Sequence, residues 1–462
     1  MAPSLEIGPG LGRRALPAFC AALAASVIVA LSLGQKPFYY DAGLYWKLGG
    51  SFVQDGHFSL LNFESPLRGY AYPLLNRELS MLAGELRWSA STIVRLFNAL
   101  VVALIGAVLV PKLAEATWPG RRWGLIRRMV LVALVLFFWN GYMSFPLSDF
   151  PALCMVLLAL VAATRPDTPG WMLTAGIATG LALDIRPEYI SLCVIVPALI
   201  AWTWFKPTEV RQVTAVRRAL CVVLLLGGFA AVSLPQALTT HLHSGSWSFL
   251  PGSGENLTYI QLTAGLVLQR YETYVGSGAA PEMNYLDPES EHLLGQQESQ
   301  QIESIGQYLG LIVGHPLVMG NLFVHHLVNG MDARYDTPYV KHLGSNLWRR
   351  IPGFLLVFLA LARVLWPAAR RCLSPSRWRY PLALSVCCLT TLSSAVETRF
   401  MLPLYALVYM LVLAPGWPSL SAVLAEHSRR YRILAIGGLG GLAFTALVWA
   451  VTSDASSHLV FG

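Results

Sequence analysis

The chain has 462 residues, 55% of them hydrophobic and only 13% charged. Soluble domains carry about 25% charged residues, so this deficit excludes a water-soluble globule and predicts an all-α polytopic membrane protein. The formal charge of +8 is spread over many short loops, as expected of side chains that orient membrane helices, and does not point to nucleic acid.

A bilayer core takes about 20 apolar residues per helix. Arg13-Arg14 precede an apolar run that reaches Leu33. This run is long for a signal peptide and no clear small-residue cleavage site follows it, so it reads as an uncleaved first helix. Candidate spans then follow at roughly 15–34, 93–112, 129–144, 150–164, 171–184, 189–205, 218–238, 351–367, 380–396, 401–415 and 433–451, about eleven in all.

Lys and Arg mark every second connection. They are Arg13 and Arg14; Lys112, Arg121, Arg122, Arg127 and Arg128; Arg165; Lys206, Arg211, Arg217 and Arg218; Arg370, Arg371, Arg377 and Arg379; and Arg429, Arg430 and Arg432. The alternation predicts a multi-pass protein of the cell inner or plasma membrane, with a cytoplasmic N-terminus and an outer C-terminus. The compact length and the lack of organellar signals point to a bacterial protein.

Three regions follow. Residues 1–238 form an N-terminal transmembrane module of about seven helices, interrupted by a first outer loop at 35–92. Residues 239–350 form a large extracytoplasmic subdomain, and 351–462 a C-terminal module of about four helices. The first outer loop balances five acids with five bases, whereas 239–350 carries ten acids against five bases. Within the latter, the apolar stretch 308–327, broken by Gly314-His315-Pro316, reads as a helix lying at the interface or packed on the bundle, because one more span would invert every basic loop after it. The seven cysteines show neither a disulfide framework nor a zinc spacing. Adjacent His325 and His326 point in different directions on a helix, so no metal site is expected.

Charges that remain collect at the outer ends of the spans. Asp41 follows the first span in Phe38-Tyr39-Tyr40-Asp41-Ala42. Charge is costly near hydrocarbon, so such a residue sits in water, a cavity or a site. It would also serve as the N-cap of an outer helix beginning near Ala42. Asp149 lies between the third and fourth spans, Asp184, Arg186 and Glu188 between the fifth and sixth, and Glu397 and Arg399 between the ninth and tenth. Arg68 and Glu64 belong to the first outer loop. Outer arginines run against the positive-inside bias. Each is either a clamp on a neighbouring carboxylate or a receptor for an anion, phosphate being the usual guest of a guanidinium fork. Glu64 and Asp149 are candidates for a second acid near Asp41. Tyr39, Tyr40, Tyr45, Tyr70 and Tyr72 are interface aromatics, some placed to meet a sugar or lipid.

One apolar helix, an outer loop opening on an acid, short paired helices, an Arg-Pro turn (Arg186-Pro187) and a Glu-x-Arg-aromatic turn (Glu397 to Phe400) together resemble the GT-C superfamily of membrane glycosyltransferases. The nearest branch includes protein O-mannosyltransferases and the lipid A aminoarabinose transferase, and the resemblance spans most of the chain. It implies inverting transfer of a sugar from a polyprenyl-phosphate donor to an acceptor hydroxyl on a glycan, lipid or protein at the outer membrane face. Asp41 would be the catalytic base, and Arg68, Arg186 and Arg399 would bind the donor phosphate. Tyr40, Tyr45, Tyr70, Tyr72 and Glu397 would contact sugar or lipid. Asp149 matches the family's second outer acid. The chain has Asp41-Ala42 where the family has paired carboxylates, so a divalent metal is not indicated and no cofactor is named. A transporter or flippase for lipid-linked sugars would show internal repeats and polar residues deep in its helices. An O-antigen ligase or polymerase would not place its acidic loop after the first span.

Overall fold

The computed structural model of the chain describes residues 11–65, 67–118, 122–205, 214–252, 257–276, 282–296, 300–365, 378–414 and 435–461. Outside them lie Cys372 and, among the orienting charges, Arg121, Lys206, Arg211, Arg370, Arg371, Arg377, Arg429, Arg430 and Arg432.

Helices dominate. α1 (Leu11–Ser32) leads to α2 (Tyr40–Leu48), a short hairpin of β1 (Val53–Gln54) and β2 (His57–Phe58), and α3 (Ala71–Leu86). α4 (Ala90–Leu104) runs through a π turn at Ile105–Leu109 into α5 (Val110–Thr117), followed by α6 (Leu125–Trp139), α7 (Asp149–Ala163), α8 (Pro169–Ile185), α9 (Leu192–Phe205) and α10 (Ala215–Ser244). Residues 239–350 hold α11 (Leu257–Val267), β3 (Leu268–Tyr274), β4 (Glu282–Leu286), α12 (Pro288–Gly295), α13 (Ile305–Gly314), α14 (Pro316–Gly330) and β5 (Tyr339–Val340). The chain returns through α15 (Leu347–Leu365), α16 (Arg379–Leu389), α17 (Leu402–Leu413) and α18 (Gly440–Ser457) to β6 (Leu459–Phe461).

Among the described residues six helices are long and apolar enough to cross a membrane: Ala15–Ser32, Ala90–Thr117, Leu125–Ser144, Pro187–Phe205, Ala215–Ser244 and Gly437–Ser457. Seven result if the bent pair α13–α14 is one span. That pair covers the apolar stretch 308–327, and its two helices meet at 106° where Gly314-His315-Pro316 interrupts the sequence. Pro316 explains the break, since a proline opens a helix readily but interrupts one that has begun.

Small residues set how closely the bundle packs. α8 crosses α10 where a Cβ on Gly176 would stand 2.0 Å from the Leu225 carbonyl oxygen, and one on Gly228 would stand 2.5 Å from that of Leu173. Only glycine permits that approach of two backbones. Buried arginines finish other helices. Arg95 of α4 donates to the Ala30 and Leu33 carbonyls at the end of α1, and Arg349 donates to the Phe137 and Phe138 carbonyls near the end of α6. Guanidinium groups there satisfy carbonyls left without intrahelical partners and complement the helix dipole.

A four-stranded sheet in the order β5-β3-β4-β6 ties the segment 239–350 to the C-terminal strand. Its β3 also reaches the turn before α17, where Tyr271 N–H donates to the Val396 carbonyl at 3.0 Å. The sheet, that turn, the ends of α1 and α8 and the starts of α7 and α17 thus meet at one end of the bundle.

Candidate functional site

Asp41 sits in the first turn of α2, but it does not cap the helix. The helix begins one residue earlier, Tyr39 is its N-cap position, and no side chain caps it. The expected capping role is therefore corrected. Both carboxylate oxygens are committed to guanidiniums: Oδ1 accepts from Arg68 Nη2 at 2.8 Å and Oδ2 from Arg399 Nη2 at 3.3 Å. Burial works against ionisation of Asp41, yet Arg68 and Arg399 outweigh it and hold the carboxyl below its usual range.

The backbone at this point is strained. Tyr40 has φ +34°, a left-handed value that a non-glycine residue rarely adopts. Tyr339 of β5 brackets it: its hydroxyl donates to the Tyr39 carbonyl at 2.9 Å and accepts from Ala42 N–H at 3.0 Å. A residue about 300 positions away in sequence thus fixes where Asp41 points.

Behind Asp41 lies a buried floor. Arg399 Nη2 donates to Glu397 at 2.6 Å, and Arg399 Nη1 lies 3.8 Å from Asp149 Oδ2. Arg186 pairs with the other Asp149 oxygen and with Glu188 at 3.3 Å. The side chains of Asp41 and Arg68 are 33% and 29% exposed, that of Asp149 only 1%. Arg186 and Arg399 both lie near the face of Phe400, at 4.6 and 5.5 Å. Burial, only partly offset by Arg399, pushes the Glu397 carboxyl up to about 7.

Asp184 does not clamp its neighbour Arg186. Its Oδ2 accepts from Ala71 N–H at 2.8 Å, satisfying the first free donor of α3 from a different helix. Gly69 makes that docking possible, because a Cβ there would stand 2.2 Å from the Asp184 carbonyl oxygen. The loop carrying Arg68 is thereby pinned to the end of α8.

The other sequence candidates divide. Tyr45 belongs to the cluster: the Arg68 guanidinium lies 5.0 Å from its ring centre and its hydroxyl bonds Ser148, the residue before Asp149, at 3.3 Å. Tyr72 is buried edge-on against Tyr45. Tyr40 is 54% exposed beside the site. Tyr70 turns away, donating to the Val232 carbonyl of α10 at 3.1 Å and packing with Phe52 and Phe63, so it is a packing residue rather than a sugar contact. Glu64 does not join the cluster either. It is largely exposed and lies 3.9 Å from His243, whereas Asp149 faces Arg399, the partner of Asp41. His325 meets Asp287 at 2.8 Å, while His326 bonds two backbone carbonyls.

A second charged network, absent from the expected site, stands directly behind the Glu397–Arg399 turn. Arg270 of β3 donates to Glu272 at 2.5 and 2.9 Å and to Thr398 Oγ1 at 3.1 Å. Asp332 receives Arg334 at 2.5 Å, Arg350 at 3.2 Å and Arg270 at 3.4 Å. Thr398, between Glu397 and Arg399, links the two networks. Among the described residues no group of three or more His, Cys, Asp and Glu side chains is arranged to hold a metal ion. No protein-family model matches the chain, and no curated protein matches it with significance.

Proposed function

We propose that the protein is an inverting membrane glycosyltransferase of the GT-C type, moving a sugar from a polyprenyl-phosphate donor to an acceptor hydroxyl at the extracytoplasmic face. The observation that carries this reading is the Asp41 carboxylate held between Arg68 and Arg399, with Asp149 and Arg186 beneath. A carboxylate and three guanidiniums at the outer end of an apolar bundle are the two kinds of group that the reaction requires. In our reading eleven helices span the membrane, α7, α8, α15, α16 and α17 joining the six named above.

In this mechanism the acceptor oxygen attacks the anomeric carbon from the side opposite the phosphate. The new C–O bond forms as the bond to the phosphate oxygen breaks, and the electron pair leaves with the lipid phosphate. Asp41 takes the acceptor proton. Arg68, Arg186 and Arg399 stabilise the charge growing on the phosphate, while Tyr45 and Tyr40 line the approach of the sugar. The acceptor is a glycan, a lipid or a protein.

The test is transfer of labelled sugar from a prenyl-phosphate donor in membranes containing the full chain. Asp41→Ala is expected to lower the rate about 10²- to 10⁴-fold, the usual contribution of a general base, at an unchanged protein level. Undiminished product would remove the enzyme assignment.

A further inference from the structure

The cluster sets three guanidiniums, Arg68, Arg186 and Arg399, against four carboxylates, Asp41, Asp149, Glu188 and Glu397. No positive charge is left over, so an arriving phosphate competes with the carboxylates for the guanidiniums. The carboxylates are not equally able to leave. Asp149 and Glu397 are buried, with side chains 1% and 6% exposed, and would abandon their partners inside the protein. Glu188 holds only Arg186, which keeps Asp149 in any case. Asp41 alone is both part-exposed and bound to two of the arginines.

We propose that Asp41 occupies the place of the donor phosphate, and that a phosphate arriving at Arg68 and Arg399 displaces its carboxylate and so frees the base. The ligand class is a lipid phosphate, either the prenyl phosphate monoester or its sugar phosphodiester. Its oxygens can take the Nη2 positions of both arginines together, as the two oxygens of Asp41 do now. Once released, Asp41 loses the two cations that suppress its proton affinity, and it can accept the proton of the attacking hydroxyl. The base is thus silent until a donor is present, which protects the site from idle chemistry. The inference rests on the transferase reading and adds an order of events to it.

The test uses the purified full chain in detergent, with farnesyl monophosphate as one probe and inorganic phosphate as the other, and binding followed by calorimetry. Asp41→Asn is expected to bind farnesyl monophosphate about tenfold more tightly than the wild type, as removal of a competing ion pair requires, and to lose transfer. Inorganic phosphate should show the same ratio at lower affinity. Glu188→Gln, which removes a charge that bridges no second arginine, should gain much less. Asp41→Ser serves as the second variant if the first folds poorly, and melting curves verify the fold of each. Equal or weaker binding by the Asp41 variants overturns the exchange, while their lost transfer would leave the transferase reading standing. A gain with farnesyl monophosphate but none with inorganic phosphate assigns the effect to the tail and also overturns the exchange. Absence of binding in every variant overturns both.

Discussion

Two arginine–carboxylate networks lie back to back in this molecule, one on each side of Thr398, and they are built differently. The inner one is closed. Arg270, Glu272 and Asp332 are almost fully buried, and Arg270 also donates to the Asn329 and Asp332 carbonyls. The outer one is open on the side of Asp41 and Arg68 and leaves atoms without hydrogen bonds: Arg399 Nε, Arg68 Nε and Asp149 Oδ2. A sealed, satisfied network fixes a fold. A network with an open rim and spare polar atoms can exchange partners, and the chain keeps that kind where the substrate would arrive.

The strongest way to break this contrast is Asp332→Asn. Burial alone would raise the Asp332 carboxyl, but Arg334, Arg270 and Arg350 outweigh it and keep it ionised. Removing its charge leaves Arg334 and Arg350 without their carboxylate and Arg270 with Glu272 alone. A broken buried pair costs about 3–5 kcal/mol, so the variant should melt far below the wild type in detergent and accumulate poorly in membranes. Wild-type melting would show that the inner network does not hold the fold.

Arg399→Lys tests the other side of the comparison. Lysine keeps the charge but not the planar fork that reaches Glu397 and Asp41 and faces Asp149. Transfer should fall about 10²-fold, within the range for loss of one transition-state donor, with little change in melting. A large loss of stability with the rate per folded molecule unchanged would place Arg399 in the structural class with Arg270.

How much of this was legible beforehand follows from the spacing of charges. Arg186 and Glu188, Arg270 and Glu272, Asp332 and Arg334, and Glu397 and Arg399 are all opposite charges two residues apart, and every one of these pairs closes in the structure. Only Arg270 and Glu272 lie in a strand, where alternate residues share a side; Glu188 and Arg399 lie in 3-10 turns, and the same spacing does not join Asp184 to Arg186. Two of the pairs were singled out because they lie between apolar spans. The other two were overlooked because they lie in the long polar segment, where charge is ordinary. The apolar runs marked where the helices fall, and the acids and arginines of the short turns were marked by their scarcity. Tyr339 carried no such mark: a tyrosine among 18 acquires its role through a contact some 300 residues distant. Nor could Asp184 be assigned to α3, since only the docking of Gly69 shows which way its carboxylate faces.

Tyr339→Phe sharpens the comparison more gently. The ring and its packing on Tyr39 and Phe145 remain, while both hydrogen bonds around Tyr40 are lost. At about 1 kcal/mol for a typical hydrogen bond, transfer should fall roughly 5- to 10-fold in kcat as Asp41 loses its fixed aim, with melting nearly unchanged. An effect on melting alone would make Tyr339 a strut.

The smallest effect concerns Glu397, where the two networks touch. Its carboxyl sits at about 7 against an ordinary 4.5, so folding favours its protonated form. Between those values the unfolded chain has released the proton and the folded chain still holds it. Stability therefore falls as pH rises from about 4.5 to about 7 and is level above that. Asp41 is shifted the other way, so its contribution is lost only at lower pH, outside this window. Melting curves of the wild type should fall across the window relative to Glu397→Gln, which has no proton to release. Parallel curves for the two proteins would mean that Arg399 holds Glu397 ionised throughout. The turn would then belong wholly to the open network, and Thr398 rather than Glu397 would mark the boundary between them.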